Sequence, residues 1–331
     1  MKISVAYKDI EKILKVTKEE VSVIADEEKI TLLANTDNTP DTKTILILAE
    51  GEVIEPGASI IKNEVLSNIP KNSTWVDITE DTLKTDTREI KYTVNNSKLP
   101  IPQLGDYITE ISKDDFDKVI DVEYAIGKDL TRPILNCVYV DDKNIVALDG
   151  YRLASRSHIG NYQKVLIPHK LIKLYKKFKN TLSVAIYQRG DVQTLVFENV
   201  MITGKTEEGS YFNYKGLINV SDEVVAKINA NKVVKLLKTY KKVELVTLNF
   251  RGNELELIAK SADMTIKDIV EIEKSGKDLE IHVNIKYLTE CLSHYGEKTE
   301  LHMTNSVSAI VITENEKLDL ILPIRIAKGG N

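Results

Sequence analysis

The sequence contains little cysteine and no long apolar segment. Its two cysteines, Cys137 and Cys291, lie far apart among 331 residues, so we expect neither a disulfide framework nor a zinc module. No segment approaches the roughly 18 uninterrupted apolar residues that a membrane-spanning helix requires. The amino terminus, MKISVAYKDIEKILK, alternates charged and apolar residues and does not resemble a signal peptide. We therefore expect a soluble protein of a reducing compartment, the cytoplasm.

The common motifs of enzymes are also absent. The sequence has no glycine-rich phosphate loop, no HExxH and no Gly-x-Ser-x-Gly, and paired carboxylates such as Asp141-Asp142 are typical of turns and caps. The five histidines do not form a set of metal ligands: His158, His169, His282, His294 and His302. We therefore expect no catalytic residue, no metal and no cofactor. A hydrolase is the enzymatic alternative, and a hydrolytic activity abolished by one carboxylate substitution would support it.

Acidic residues slightly outnumber basic ones. There are 50 Asp and Glu against 45 Lys and Arg, which gives a net charge of -5. This balance excludes a general attraction of the whole chain to phosphate, although it allows a local basic surface. With 42% hydrophobic residues the chain is able to fold, and its length suggests two or three domains.

Two sequence units each occur three times, at intervals of about 110 residues. One unit, a strand followed by a short amphipathic helix and another strand, begins at Ala58, Lys164 and Leu279. The other, a strand leading into a charged helix, begins at Lys2, Ile108 and Glu223. Short alternating strands follow, as is typical of antiparallel sheets. The repeats predict three tandem α+β domains, residues 1–106, 107–215 and 216–331, separated by the linkers NNSKLPIPQLGDY and KTEEGSYFNYKG.

Two predicted helices carry lysines opposite an apolar stripe, without an acidic residue. In HKLIKLYKKFK the stripe is Leu171, Leu174, Tyr175 and Phe178, and in NKVVKLLKTYKK it is Val233, Leu236, Leu237 and Tyr240. The first helix of the chain has a weaker version of the pattern. The lysines opposite these stripes are Lys8, Lys12, Lys15, Lys170, Lys173, Lys177, Lys235, Lys238 and Lys242.

A solvated helix face is the plainest interpretation of any one such helix. Repetition in an acidic chain favours a polyanionic partner, because unpaired lysines repel one another. No aromatic residue is interleaved among the lysines, so contact with the phosphates of a duplex is favoured over readout of single strands or bases.

Three segments resemble the bacterial DNA polymerase III beta subunit family, the sliding clamps. TRPILNCVYVDDKNIVALDGYRLASRS, from Thr131 to Ser157, resembles the middle domain of the family. TNSVSAIVITENEKLDLILPIRI, from Thr304 to Ile326, resembles its last strands, and GSYFNY, from Gly209 to Tyr214, lies at the position of its linker. The three segments occur in the order and at the spacing of the family.

The resemblance implies three similar domains, each with two helices packed on two small antiparallel sheets. Two chains would join head to tail into a ring whose helices line the hole. The implied function is to encircle double-stranded DNA and tether the replicative polymerase, with a clamp loader and other proteins that carry clamp-binding motifs as further partners. A clamp-like module that binds polymerase peptides without forming a ring is the alternative.

The resemblance also implies a pocket for a short linear peptide between the second and third domains. Its residues would be Leu135, Leu148, Gly150, Tyr151, Arg152, Leu153, Phe212, Leu217, Val307, Ala309, Leu322, Pro323, Ile324 and Arg325. Apolar residues would supply affinity, and backbone groups with Arg152 would orient the peptide. Pro323 is expected inside the last strand, at a sheet edge. The tail from Ala327 to Asn331 extends past the usual end of the family and could cover the pocket.

Overall fold

A computed structural model describes residues 1–36, 43–129, 131–178, 181–207 and 209–326. The role predicted for the tail, Ala327 to Asn331, lies outside these residues. None of the helices in the described ranges is long and apolar enough to cross a membrane.

The described residues form short helices and many strands. The helices are α1 Tyr7–Leu14, α2 Asn63–Leu66, α3 Lys113–Asp121, α4 His169–Tyr175, α5 Ala230–Leu237 and α6 Ile285–Leu292. The strands as far as α4 are β1 Lys2–Ala6, β2 Glu20–Ala25, β3 Ile30–Asn35, β4 Thr44–Ala49, β5 Gly51–Glu55, β6 Gly57–Lys62, β7 Trp75–Ile78, β8 Thr82–Lys84, β9 Glu89–Lys91, β10 Asp106–Ser112, β11 Cys137–Val140, β12 Asn144–Leu148, β13 Arg152–Ser157 and β14 Val165–Pro168. The later strands are β15 Ser183–Arg189, β16 Val192–Phe197, β17 Val200–Lys205, β18 Val224–Ile228, β19 Leu245–Arg251, β20 Glu254–Lys260, β21 Thr265–Glu271, β22 Glu273–Gly276, β23 Leu279–Asn284, β24 Thr299–Met303, β25 Ile310–Glu314 and β26 Lys317–Ile321.

The chain divides into two compact units. Unit 1 comprises residues 1–116 and 167–208, and unit 2 comprises residues 117–166 and 209–331. Within each of the predicted thirds the elements follow one order, in which a strand and a helix precede several strands, a second helix and further strands. The three-domain boundaries stay a prediction.

Antiparallel pairing builds the sheets of both units. Unit 1 contains a five-stranded sheet in the order β5-β1-β7-β8-β9 and an eight-stranded sheet in the order β10-β15-β16-β17-β4-β3-β2-β6. The remaining strands form a nine-stranded sheet, β14-β11-β12-β13-β26-β25-β24-β18-β22, and a four-stranded sheet, β21-β20-β19-β23. The predicted α+β class with several antiparallel sheets is therefore confirmed.

The helices bury the apolar stripes that the sequence predicts. Ile10 and Ile13 of α1 and Val233 and Leu237 of α5 are buried. The side chain of Asn229 caps α5 by accepting a hydrogen bond from the backbone N–H of Lys232 at 3.1 Å, which satisfies one of the free amides of the first turn.

Two of the lysine-bearing helices are shorter than the sequence predicts. α4 ends at Tyr175 and α5 ends at Leu237, so Phe178 and Tyr240 reach the core from the turns that follow. The apolar spacing continues through these turns, because a turn of three or four residues places its apolar side chain on the same side as the helix.

Candidate functional site

A tight turn connects β12 to β13 and holds the centre of the predicted pocket. The Asp149 carboxylate accepts hydrogen bonds from the backbone N–H groups of Tyr151 at 2.9 Å and Arg152 at 3.1 Å. Gly150 has a φ of 94°, a left-handed conformation that glycine adopts without steric cost. The turn projects Tyr151 outward, where its side chain is 60% exposed.

Below this turn lies a compact apolar cluster in unit 2. Leu135, Leu148 and Leu153 are buried in it together with Leu320, and Ala309 packs against it. Four residues that the sequence assigns to the pocket thus belong to one cluster, although they come from widely separated parts of the chain.

The carboxyl-terminal segment runs beside the turn. β26 pairs with β13 so that Ile321 lies opposite Arg152, and the next backbone N–H, that of Leu322, donates to the carbonyl of Tyr151 at 2.9 Å. Two residues later the N–H of Ile324 donates to the carbonyl of His282 at 2.7 Å. The segment therefore passes from the edge of the Tyr151 turn to β23.

The placement of Pro323 inside the last strand was wrong. β26 ends at Ile321 and lies between β13 and β25 in the interior of its sheet, so Pro323 follows the strand. Proline has no N–H to donate to a ladder, and here it separates two amides, one bonded to the turn before β13 and the other to β23. This agrees with the chemistry of proline better than the edge position that we expected.

The other predicted pocket residues lie at the surface. Pro323 is half-buried, and the remaining ones are exposed: Gly150, Phe212, Leu217, Val307, Leu322, Ile324 and Arg325. Exposed apolar side chains in this number are typical of a binding surface.

The linker is anchored beside the cluster. The Tyr214 hydroxyl donates to Asp141 at 2.7 Å, and the Lys215 ammonium lies 2.9 Å from the same carboxylate. Burial alone would raise the pKa of Asp141, but hydrogen bonds from Tyr214, from backbone N–H groups and from Lys215 lower it to about 2. Tyr214 is a member of the apolar cluster, and this anchor fixes the backbone between Phe212 and Leu217.

Arg152 is buried rather than projecting from the surface. Its side chain is 8% exposed, and its guanidinium donates to Asp149 at 3.0 Å and to Glu290. Its Cζ atom lies 4.5 Å from the centre of the Tyr287 ring, and that ring stacks on Tyr151 with centroids 6.1 Å apart. In this structure Arg152 supports Tyr151 from behind, while its predicted role in orienting a peptide stays a prediction.

Arg132 was not among the predicted pocket residues, although it lies in one of the segments that carry the resemblance. Its guanidinium pairs with Asp129 at 2.9 Å and remains partly exposed. One of its nitrogens lies 3.3 Å from the point that a Cβ on Gly150 would occupy, so the cation lies over the turn. Its position could not be read from the sequence, because it depends on how two distant loops meet.

The lysines of α1 are paired within unit 1. Lys8 forms an ion pair with Glu50, Lys12 lies 3.0 Å from Asp9, and Lys15 lies 3.4 Å from Glu11. Lys177, which follows α4, donates to the carbonyl of Lys15 at 3.3 Å, at the carboxyl-terminal end of α1. Lys170 is half-buried.

The lysines of α5 and Lys173 of α4 are different. Lys173, Lys235, Lys238 and Lys242 are exposed, and no ion pair connects them to another described residue. Lys232 and Lys241 were not among the predicted DNA-facing lysines. They are also exposed, and they form no ion pair with another described residue. Each close pair of like charges on a helix costs about 0.2–0.5 kcal/mol. The surface is therefore maintained against a small repulsion.

A buried charge network lies elsewhere in unit 2 and was not predicted. Arg156 is almost fully buried and pairs with Asp121 at 2.5 Å and Asp319 at 2.6 Å. Asp121 also contacts His294 at 2.6 Å, and the Tyr295 hydroxyl donates to Asp319 at 3.0 Å. Burial raises the pKa of Asp319, whereas hydrogen bonds from His294 and Arg156 outweigh burial at Asp121 and lower its pKa. The network joins residues distant in sequence and has a structural role.

The fold of this chain is similar to that of solved sliding clamps. The beta subunit of DNA polymerase from Streptococcus pyogenes has a TM-score of 0.86 at 17% identity, covering 98% of this chain and 100% of that one. The DNA polymerase sliding clamp of Bacillus subtilis has a TM-score of 0.83 at 18% identity, covering 99% and 100%. The DnaN sliding clamp of Bartonella birtlesii, solved bound to griselimycin, has a TM-score of 0.82 at 19% identity, covering 98% and 100%.

Sequence comparison points the same way. Residues 218–325 match the family model described as DNA polymerase III beta subunit, C-terminal domain. The beta sliding clamp of Buchnera aphidicola subsp. Rhopalosiphum padi is 25% identical over 224 residues, which are 60% of this chain and 59% of the relative. The chain thus aligns with less than two thirds of that relative's length. The resemblance to DNA polymerase III beta subunits inferred from the sequence is confirmed, at low identity.

Proposed function

We propose that this protein is a DNA sliding clamp, a ring-shaped homodimer that encircles duplex DNA and tethers the replicative polymerase for processive synthesis. One observation carries the proposal: the clamp fold extends over 98% of the chain with a TM-score of 0.86. The function is topological and requires no catalytic residue. We place it in the cytoplasm, where bacterial DNA is replicated.

Lys173 of α4 and the lysines of α5, which are exposed and form no ion pair with another described residue, support the contact with DNA. A duplex carries a high density of phosphate charge, and amines that meet it without reading bases bind every sequence alike. Water-bridged contacts of this kind let the protein slide while the closed ring prevents it from leaving sideways.

The surface around Tyr151 supports the contact with partners. Buried leucines beneath a turn with exposed apolar side chains suit a short linear peptide with apolar anchors. We assign it to the replicative polymerase, the clamp loader and other proteins with clamp-binding motifs. A polymerase held there remains at high effective concentration near the primer end.

An exposed sheet edge supports self-association. β21 is an edge strand of the four-stranded sheet, and its Ile269 is 56% exposed. An open edge with apolar side chains favours pairing with another chain. Two identical head-to-tail contacts would close a ring of two protomers.

The alternative is a module with the clamp fold that binds polymerase peptides without closing into a ring. Sedimentation velocity at micromolar concentration distinguishes the two. The ring predicts a species of twice the chain mass of 37.3 kDa. A persistent monomer at these concentrations would contradict the ring and leave the peptide-binding module.

A further inference from the structure

One surface of unit 2 carries several lysines that form no ion pair with another described residue. We name the α5 surface by its five lysines: Lys232, Lys235, Lys238, Lys241 and Lys242. The first four are spaced three residues apart and so form one row on the helix and the turn after it. All five are exposed and form no ion pair with another described residue, and the sequence has no Asp or Glu between Ile228 and Glu244.

The α1 lysines, in contrast, form ion pairs with carboxylates of unit 1. Asp9 is fully buried, and its carboxylate receives Lys12 at 3.0 Å, the Asn199 side chain at 3.2 Å and the backbone N–H of Glu50 at 3.0 Å. Lys12 also donates to Asn199 at 3.3 Å. These bonds tie α1 to two turns of unit 1, and the charge of Lys12 is neutralised by a carboxylate that water does not reach.

Two positions of the α5 surface hold a lysine against local preference. Lys232 lies in the first turn of α5, where the helix dipole disfavours a cation. Lys242 has a φ of 61°, in the left-handed region that favours glycine or asparagine. The dipole accounts for cations at the end of the helix, Lys235 and Lys238, but not for these two. Neither the helix dipole nor the backbone conformation accounts for a lysine at these two positions.

We propose that the α5 surface makes most of this chain's contacts with duplex phosphate, and that the α1 lysines chiefly hold α1 in place. This assignment rests on the proposed sliding-clamp function and divides its DNA contacts between helices. Most of the counterions that the DNA releases on binding should therefore be displaced by the α5 lysines. A lysine without an ion-pair partner can neutralise a phosphate directly, whereas a paired lysine must first break its ion pair.

The test compares charge-matched variants of the full-length protein. Binding to a labelled 30-base-pair duplex is measured between about 50 and 200 mM KCl. The association constant K falls as salt rises, and each lost phosphate contact lowers the magnitude of the slope of log K against log salt by roughly 0.9. K235Q/K238Q should lower the slope by about 1.8. K8Q/K12Q removes the same charge and should lower it by less than half as much, while it lowers the midpoint of thermal unfolding. K71Q/K84Q, exposed lysines outside the helices, is the control for net charge.

A substitution of Lys242 should change DNA binding without lowering the thermal stability of the protein. In K242G, glycine replaces a lysine whose backbone has a left-handed conformation, so the midpoint of thermal unfolding should not fall. The slope of log K against log salt should nevertheless become less steep by roughly 0.9. An unchanged slope in K242G, or a larger loss of slope in K8Q/K12Q than in K235Q/K238Q, would overturn the assignment but not the clamp. Absence of any duplex binding by the wild-type protein at about 50 mM KCl would also overturn the assignment, whereas the clamp itself is tested by retention on DNA with blocked ends.

Discussion

Tyr151 is the residue on which the proposed peptide pocket depends most. It stands at the tip of the turn after β12, its carbonyl receives the N–H of Leu322, and its ring stacks on Tyr287. Arg152 and Glu290 form the charged layer behind this stack. A partner bound at the proposed pocket would meet the ring of Tyr151 first, while the Arg152 guanidinium remains buried behind it.

Substitution of Tyr151 or Leu322 by aspartate should abolish peptide binding. An unpaired carboxylate in an apolar contact is costly to desolvate, so we expect affinity to fall at least about tenfold, which is roughly 1.4 kcal/mol. Fluorescence anisotropy with a labelled peptide that carries leucine and phenylalanine anchors measures this loss. The dimer mass and the thermal midpoint should be unchanged.

Ile159→Asp is the matched control, since Ile159 is 102% exposed and lies beyond the opposite end of β13. Equal peptide affinities for Y151D, L322D and I159D would contradict the assignment of the peptide pocket to the turn at Tyr151.

At this scale the sequence predicted which leucines come together better than how the charged side chains are held. Leu135, Leu148 and Leu153 could be chosen because their segment resembles the family, and the structure brings them into one cluster. The burial of Arg152 could not be foreseen, because its partner Glu290 lies 138 residues away. Tertiary ion pairs of this kind leave no local pattern in the sequence.

Among the elements, the linker between Gly209 and Leu217 is fixed by its own short helical turn, Tyr214–Leu217. Tyr214 enters the apolar cluster from this turn and bonds to Asp141, which also accepts from the backbone N–H groups of Lys143 and Asn144 at 2.9 and 2.8 Å. One carboxylate therefore holds both the β11–β12 turn and the linker.

Asp141→Asn should destabilise unit 2 in a pH-dependent way. The pKa of Asp141 is lowered from 3.8 to about 2 on folding, so its ionised form stabilises the fold fully above pH 3.8 and less as the pH falls towards 2. We expect the variant to lose about 2 kcal/mol at neutral pH.

Urea unfolding followed by circular dichroism between pH 7 and pH 2.5 checks this prediction. The gap between wild type and D141N should narrow below pH 4, because protonation removes the same interaction from the wild type. A gap that stays constant with pH would contradict it. Asp142→Asn is the control, since Asp142 is exposed and lies 3.7 Å from Lys215.

Helices could be predicted from the sequence, but their ends and their charge partners could not. The apolar spacing of α5 continues past Leu237 to Tyr240, so periodicity alone extended the helix. The pairing of Lys12 with Asp9 was within reach as an i, i+3 contact, whereas its bond to Asn199 spans 187 residues. The sequence could therefore show where amines occur and not which of them are compensated.

For the whole molecule, repetition in the sequence predicted three similar α+β domains, and the helices and strands of each third follow one order. The division into three domains stays a prediction. Closure of two chains into a ring is a property of the assembly, and no pattern within one chain records it. The proposed function depends on this closure, because amines alone would bind DNA without holding it topologically.

Retention on linear DNA with open or blocked ends tests closure most directly. The protein is mixed with a biotinylated linear duplex so that rings thread over the ends, streptavidin then blocks the ends of half the sample, and both are passed through gel filtration at about 0.5 M salt, where electrostatic binding is weak. A ring predicts protein retained on blocked DNA, lost from open DNA, and released when the blocked duplex is cut. Equal loss from open and blocked DNA, or retention that survives the cut, would contradict a closed clamp.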